Sequence, residues 1–466
     1  MSAPASIDLP SDLLTWVEAT TNGRVVGAAP HVAGASRSAW SIDVQGDRAR
    51  APRSLFMLRD KGKGGGSMRD AAVLRALAKT DVPVPEVVGS CEVQALLLLQ
   101  RIAGRSDYPS VDDPSEREPI ARHLMELTGR LHALDVTRLA VPHLEVPKCP
   151  EDCARGTLAQ ARAAATALGA AADPFFGFAL DWLEANVPTN VARYALVHSD
   201  MGPGNFLYES GRVTGIVDWE VAHFGDPMED LAAIAVRDMA TPIGSLARRF
   251  DEYESSSGTT VDLARVHYYR ALVLVRNSLM IGLGLSHPAQ NFDVVEMTMY
   301  QTLLMRAAAL VLCDNLGIDR PSAADADAAG QGASAPTQRQ AMLEALRRDM
   351  LRTIVPATTG AEAEHHCERL ARALETFAHE AACAPTLERH EREDAAALLG
   401  LGAAQLAELA DAESIADALR VAIAERSASE ADFARYFARR MHRLAKRNEP
   451  LLGPLFERLP QPLATG

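Results

Sequence analysis

The stretch from Leu196 to Pro227, LVHSDMGPGNFLYESGRVTGIVDWEVAHFGDP, limits what this chain can become more than any other. The apolar run from Tyr194 to Val197 reads as a short buried strand. His198-Ser199-Asp200 follows, and a Gly/Pro-rich turn separates Asp200 from Asn205. Phe206-Leu207-Tyr208, a Glu-Ser-Gly-Arg turn and Val213 to Val217 read as a hairpin, with Asp218 ending its second strand. An Asp, an Asn and a second Asp thus stand at strand ends, where loops can aim them into one cleft. Phosphoryl transfer uses that set: one carboxylate for the attacking hydroxyl, an amide and a carboxylate for Mg²⁺ on the ATP phosphates. A lone Asp-x-x-x-x-Asn reads more readily as a buried hairpin with decorative acids. Three linked elements in this order favour the kinase reading.

These residues resemble the aminoglycoside phosphotransferase and choline kinase group, small-molecule kinases with a protein-kinase-like fold. The resemblance assigns the catalytic Asp to Asp200 and the metal-binding pair to Asn205 and Asp218. It rests also on Asp218-Trp219-Glu220, where protein kinases have Asp-Phe-Gly, and on Gly225, Asp226, Pro227, Asp230 and Leu231. It implies ATP and Mg²⁺ as cofactors. Ser199 departs from it, standing where a glycine is usual; a small residue is kept, so the turn is expected to survive.

A net charge of −14 over 466 residues argues against nucleic acid or an anionic membrane as the main partner. The N-terminus shows no basic segment followed by an apolar core, so no export signal is read and a cytoplasmic location is expected. The apolar stretch from Ala271 to Leu285 is broken by Arg276 and Asn277 and is too short for a bilayer. The six cysteines form no Cys-x-x-Cys pair, and His143, Cys149 and Cys153 fit no zinc spacing.

From Asp12 to about Ala19 the pattern is a short amphipathic helix. Val25 to His31 and Ala39 to Val44 read as strands flanking Val32 to Ser38. A small-residue turn lets backbone N–H groups approach phosphates. The family resemblance makes Gly34, Ser36 and Arg37 candidates for that task, against the reading of an ordinary hairpin. Ser54 to Arg59 is the next strand. Arg59 is favoured there for the α/β-phosphates, with Lys61 and Lys63 as rivals. An Arg at this point also resembles the kinase-like domains joined to acyl-CoA dehydrogenases. Lys61 to Gly66 lacks the Gly-Lys-Ser/Thr ending of a Walker A loop and reads as a connection into the helix Ser67 to Lys79. Asp70 on that helix stands where the family has Glu. A pair with Arg59 is expected, against a solvated Asp favoured by the helix dipole. Val87 to Gly89 and Ala95 to Leu99 read as the last strands of this lobe. Gln100-Arg101-Ile102 is the hinge whose backbone would meet adenine, an assignment that rests on the resemblance.

Ile120 to Leu134 is a strong amphipathic helix ending in His132, which reads as structural. Phe175 to Ala185 is another helix, and the chain after Asp230 is helical to about Leu316. In related kinases these helices, with the region from Pro142 to Ala172, build the acceptor pocket. Arg320 to Gln338 reads as a small-residue linker. Ala341 to Leu459 is Ala/Leu/Glu/Arg-rich and helical, resembling a domain of unknown function found beside such kinases. The basic run Arg435, Arg439, Arg440, Arg443, Lys446, Arg447 reads as a solvated face, with docking to an acidic partner as the alternative.

The expected fold is α+β: a two-lobed protein-kinase-like domain followed by a mostly helical one. The expected boundaries are 1–102 and 103–320 for the lobes, 321–339 for the linker and 340–466 for the tail. The expected activity is ATP- and Mg²⁺-dependent phosphorylation of a small-molecule hydroxyl, with no nucleic acid or membrane partner. Asp226, Asp230 and His198 are expected to brace the catalytic loop. From Arg237 to Arg320 there are nine Asp/Glu against eight Arg and no Lys, without the acidic excess a polycationic antibiotic calls for. A hydroxyacyl thioester or other non-cationic metabolite is therefore the expected acceptor. An aminoglycoside-type kinase and a nucleotide-binding pseudokinase with an interaction tail are the alternatives. Oligomeric state is not legible.

Overall fold

Alternating apolar residues between positions 24 and 100 build one antiparallel sheet of five strands. They are β1 (Arg24–His31), β2 (Arg37–Gln45), β3 (Arg53–Asp60), β4 (Val87–Cys91) and β5 (Leu96–Gln100), in the order β1-β2-β3-β5-β4. The computed structural model describes residues 7–31, 37–46, 51–61, 65–108, 113–288, 292–322, 337–402 and 411–463. The chain divides into two compact units, residues 1–153 with 189–266, and 154–188 with 267–466.

In the first unit the two faces of the sheet are covered differently. Leu55 and Met57 of β3 join Val25, Ile42, Leu96 and Leu98 in a core with Leu13 and Val17 of α1 (Ser11–Thr21). Side chains alternate along a strand, so Phe56 and Leu58 turn to the opposite face. Helix α2 (Gly66–Leu77) buries Ala71, Val73, Leu74 and Leu77. Beyond β5, α3 (Pro114–Ala133) starts on an Asp113 side chain that accepts from Ser115 N–H, with Pro114 at the first helical position. Next in the chain come α4 (Asp152–Leu168) and α5 (Pro174–Ala185), which from Ala154 to Pro188 belong to the second unit. The first unit resumes with two small antiparallel pairs. In one, β6 (Ala195–Val197) pairs with β9 (His223–Gly225); in the other, β7 (Phe206–Glu209) pairs with β8 (Arg212–Ile216). The pairing of β6 with the strand just before Asp226 is not visible in the local pattern. Helices α6 (Met228–Asp238) and α7 (Leu246–Ser257) follow.

The second unit is helical: α5, α8 (Leu263–Ser286) from His267 onward, α9 (Val294–Asn315), α10 (Gln338–Asp349), α11 (Ala361–Leu399), α12 (Ala412–Glu425) and α13 (Glu430–Arg447). Phe175 and Phe178 pack on Phe437, and Phe178 also meets Phe433, with ring centroids 5.6–5.7 Å apart. Leu303 shares a cluster with Ala445 and Leu452. Asn448 Nδ2 donates to Thr302 Oγ1 at 3.1 Å, and Arg320 Nη1 to the Pro460 carbonyl at 2.8 Å. Helices α5 and α9 therefore share a core with the tail, and packing divides the chain elsewhere than at 321–339. Most of that expected linker, 323–336, lies outside the described residues.

Most of the basic run on α13 is not a solvated face, although Arg435 is exposed. Arg443 and Arg440 pair with Glu391, and Arg439 and Arg443 with Asp394, both carboxylates lying on α11; Arg440 also reaches Asp173 at 3.0 Å. Only 8% of Glu391 is exposed. Its partners hold its carboxyl below the ordinary range although burial pushes the other way. No helix among the described residues is long and apolar enough to cross a membrane.

Candidate active site

The loop between β6 and β7 carries Asp200 and Asn205. His198 is fully buried against Trp219, with ring centroids 4.6 Å apart, and its Nε2 donates to the Val217 carbonyl at 2.9 Å. Asp230, at the start of α6, accepts from the peptide N–H of His198 (2.9 Å) and Ser199 (2.7 Å) and from His132 Nε2 (3.0 Å). Burial alone would raise the Asp230 carboxyl; hydrogen bonds from His132 and the His198 peptide hold it below its ordinary value. Asp226 is buried too, and accepts from Met228 N–H and from Arg265. His132, His198 and Asp230 thus support the loop, while the bonds of Asp226 go to the start of α6 and to Arg265 instead.

Ser199 adopts φ 66°, the left-handed region that a glycine would enter without cost. Its hydroxyl donates to the buried Glu229 carboxylate at 2.6 Å. The substitution for glycine is thus accommodated by a bond that glycine cannot make.

Asp200 and Asn205 meet directly. Asn205 Nδ2 donates to both the main-chain oxygen and Oδ2 of Asp200, each at 2.8 Å. The peptide N–H of Val217 donates to the Asn205 carbonyl at 3.0 Å, which sets Asp218 beside Asn205. Asp218 adopts φ 70°, and its half-open side chain is 41% exposed. Asn205 and Asp218 line a cavity of about 470 Å³ with His31, Arg37, Phe56, Leu58 and Asp70. Gln100 and Ile102 line it as well. The Gln100 side chain donates to Ser54 O and accepts from Arg53, and the peptide N–H groups of Gln100 and Arg101 donate to Glu86 O (2.8 Å) and Ser54 O (3.1 Å).

Arg37 and Arg101 line this cavity, and Arg59 does not. Arg59 shares the α1-facing side of β3 with Leu55 and Met57, and its nearest carboxylate is Asp12, at 3.9 Å. Strand alternation therefore turns it from the cavity, and the expected Arg59–Asp70 pair does not form. Arg37 Nη1 instead donates to Asp70 at 2.7 Å, with Glu220 at 3.0 Å, Asp60 at 3.3 Å and Asp218 at 3.5 Å around the same guanidinium. Asp70 is 1% exposed; burial pushes its carboxyl up from 3.8 to about 6, against the pull of Arg37. Gly34, Ser36 and Lys63 lie outside the described residues.

Sequence reasoning missed Arg237. This α6 residue holds Asp200 through Nε (3.0 Å) and Nη2 (2.5 Å). Its position seven residues beyond Asp230, about two helical turns, places both on one face of α6. That spacing was the available signal.

A family model described as "Phosphotransferase enzyme family" matches residues 33–269, just over half of the chain. Acyl-CoA dehydrogenase family member 10 of Mus musculus is 28% identical over 177 residues, 35% of this chain and 16% of that protein. Acyl-CoA dehydrogenase family member 11 of Rattus norvegicus is 29% identical over 181 residues, 36% of this chain and 22% of that protein. The chain thus spans less than a quarter of the length of these relatives. Hygromycin-B 4-O-kinase of Escherichia coli is 26% identical over 221 residues, 43% of this chain and 59% of that one. Among solved structures, a thermostable mutant of aminoglycoside phosphotransferase APH(4)-Ia, in ternary complex with ADP and hygromycin B, is 18% identical. The match covers 63% of this chain and 98% of that one, with a TM-score of 0.47.

Proposed function

The chain belongs to the phosphotransferase enzyme family, and on that premise we propose that it transfers the γ-phosphoryl group of Mg·ATP to a hydroxyl of a small, non-cationic acceptor. One observation carries the reading: Asp200, Asn205 and Asp218 converge at one loop, with Asn205 and Asp218 lining the cavity that holds Arg37.

Asp200 takes the proton of the attacking hydroxyl or orients it, a task that needs a carboxylate within hydrogen-bond reach. Arg37 Nη2 is buried without a hydrogen-bond partner among the described residues, which leaves a donor for a phosphate oxygen. The residues present fit a metal ion: both bonds of Asn205 Nδ2 are spent on Asp200, which leaves its carbonyl oxygen, and the Asp218 carboxylate is half open. Asn205 and Asp218 would hold Mg²⁺, which when bound neutralises charge on the phosphates. Asp70 anchors Arg37, and Gln100 to Ile102, which line the same cavity, would border the adenine.

The near balance of acid and base between Arg237 and Arg320 supports a non-cationic acceptor. The names of the acyl-CoA dehydrogenase relatives support an acyl thioester bearing a hydroxyl. The test is transfer from ATP to hydroxyacyl-CoAs, choline, homoserine, simple sugars, kanamycin and hygromycin B. Turnover of the two antibiotics alone would replace the thioester reading with that of an antibiotic kinase. Thermal stabilisation by ATP with no transfer to any acceptor or to water would favour a pseudokinase. Asp200→Asn is expected to keep nucleotide affinity and lose about 10²–10⁴-fold in turnover.

A further inference from the structure

Arg237 enters the catalytic loop from outside it. Besides its two bonds to Asp200, it donates through Nη1 to the Pro203 carbonyl at 2.7 Å. The loop leaves room for it. A Cβ at Gly202 would stand 2.8 Å from Arg237 Cδ, and one at Gly204 would stand 3.2 Å from Nη1. Both glycines hold positive φ, 138° and 102°.

The bond count at Asp200 is informative. An ionised carboxylate offers about four lone-pair sites, two on each oxygen. Arg237 Nη2 and Asn205 Nδ2 fill both on Oδ2, and Arg237 Nε fills one on Oδ1. Among the described residues a single site remains, on Oδ1.

We propose that Arg237 is the positioning residue of the transfer: its two-pronged hold turns the Asp200 carboxylate so that the acceptor hydroxyl enters at Oδ1 alone. This rests on the reading of Asp200 given above. A planar guanidinium gripping both oxygens stops the carboxylate from rotating, which a lysine ammonium, a point charge, does not. Misplacing a reacting group by about 1 Å costs on the order of 10²-fold in rate. Among the described residues Arg237 bonds to Asp200 and Pro203 and not to Arg37 or Asp218, so its loss is expected to fall on kcat more than on KM for ATP.

The test is steady-state kinetics of the full chain with ATP and the fastest acceptor of the panel above, water included, for Arg237→Ala, Arg237→Lys and Asp200→Asn. Arg237→Ala is expected to lose about 10²-fold in kcat, with KM for ATP within about threefold. Arg237→Lys is expected to recover no more than about tenfold, because charge returns without orientation. Arg237→Ala with kcat within about twofold of the parent overturns the proposal, as does full rescue by lysine. Should Arg237→Ala fail to fold, the lysine variant decides alone. Inactive Asp200→Asn beside fully active Arg237→Ala refutes only the role of Arg237. Fully active Asp200→Asn removes the base assignment itself and this inference with it.

Discussion

Arg37 Nη1 lies 2.7 Å from Asp70, a pair between β2 and α2 in which the arginine is 5% exposed and the aspartate 1%. The arginine that pairs with Asp70 thus comes from the strand before the one expected to supply it.

Arg37→Ala is expected to raise KM for ATP by about tenfold or more, since Asp70 and a phosphate oxygen both lose their cation. Arg59→Ala, on the far face of β3, is expected to change KM by less than about twofold, because its contact with Asp12 is exposed and long. Isothermal titration with ATP compares the two. Equal losses would return Arg59 to the site.

Asp70 supplies a pH dependence. Its folded pKa, about 6, lies above the ordinary 3.8, so its contribution to stability is fully present below about pH 4 and is lost as pH rises through 6. Binding moves the other way. Above pH 6 the ionised carboxylate anchors Arg37; below it the pair weakens and KM for ATP should climb. A KM–pH profile measures this, and Asp70→Asn should remove the part of the acid limb that ATP's own titration does not explain. An unchanged limb in Asp70→Asn would assign it to another group.

Ser199→Ala should cost about 1–3 kcal/mol of unfolding free energy, because the buried Glu229 loses its hydroxyl partner while the left-handed backbone stays strained. Ser199→Gly loses the same bond but returns about 1 kcal/mol of backbone strain, so it should fall between the alanine variant and the parent. Urea denaturation orders the three. A glycine variant less stable than the alanine variant contradicts this account.

A chain stopped at residue 322 should not fold cooperatively. It would expose Phe175 and Phe178, which pack on Phe433 and Phe437, and Leu303, which packs on Ala445 and Leu452. Each buried apolar side chain is worth about 1.5–3 kcal/mol, so losing these contacts removes a sum comparable with a domain's whole stability. Calorimetry of the truncated chain would show a single sharp transition if this is wrong.

The sequence by itself determined the strand-turn-strand run that carries Asp200, Asn205 and Asp218. Their spacing is short and the connecting turns admit few geometries. It also determined the strands of the first sheet and most helices, whose apolar periods are local properties of the chain. Only the tertiary structure decided which face of β3 meets the cavity. Both faces of that strand are apolar, Leu55 and Met57 against α1 and Phe56 and Leu58 toward the cleft, so alternation in the sequence marks no side as the functional one. Arg237 and the carboxylates facing α13 were likewise out of reach of the one-dimensional pattern. An arginine on a helix reads as solvated until packing brings Asp200, or Glu391 and Asp394, up against it.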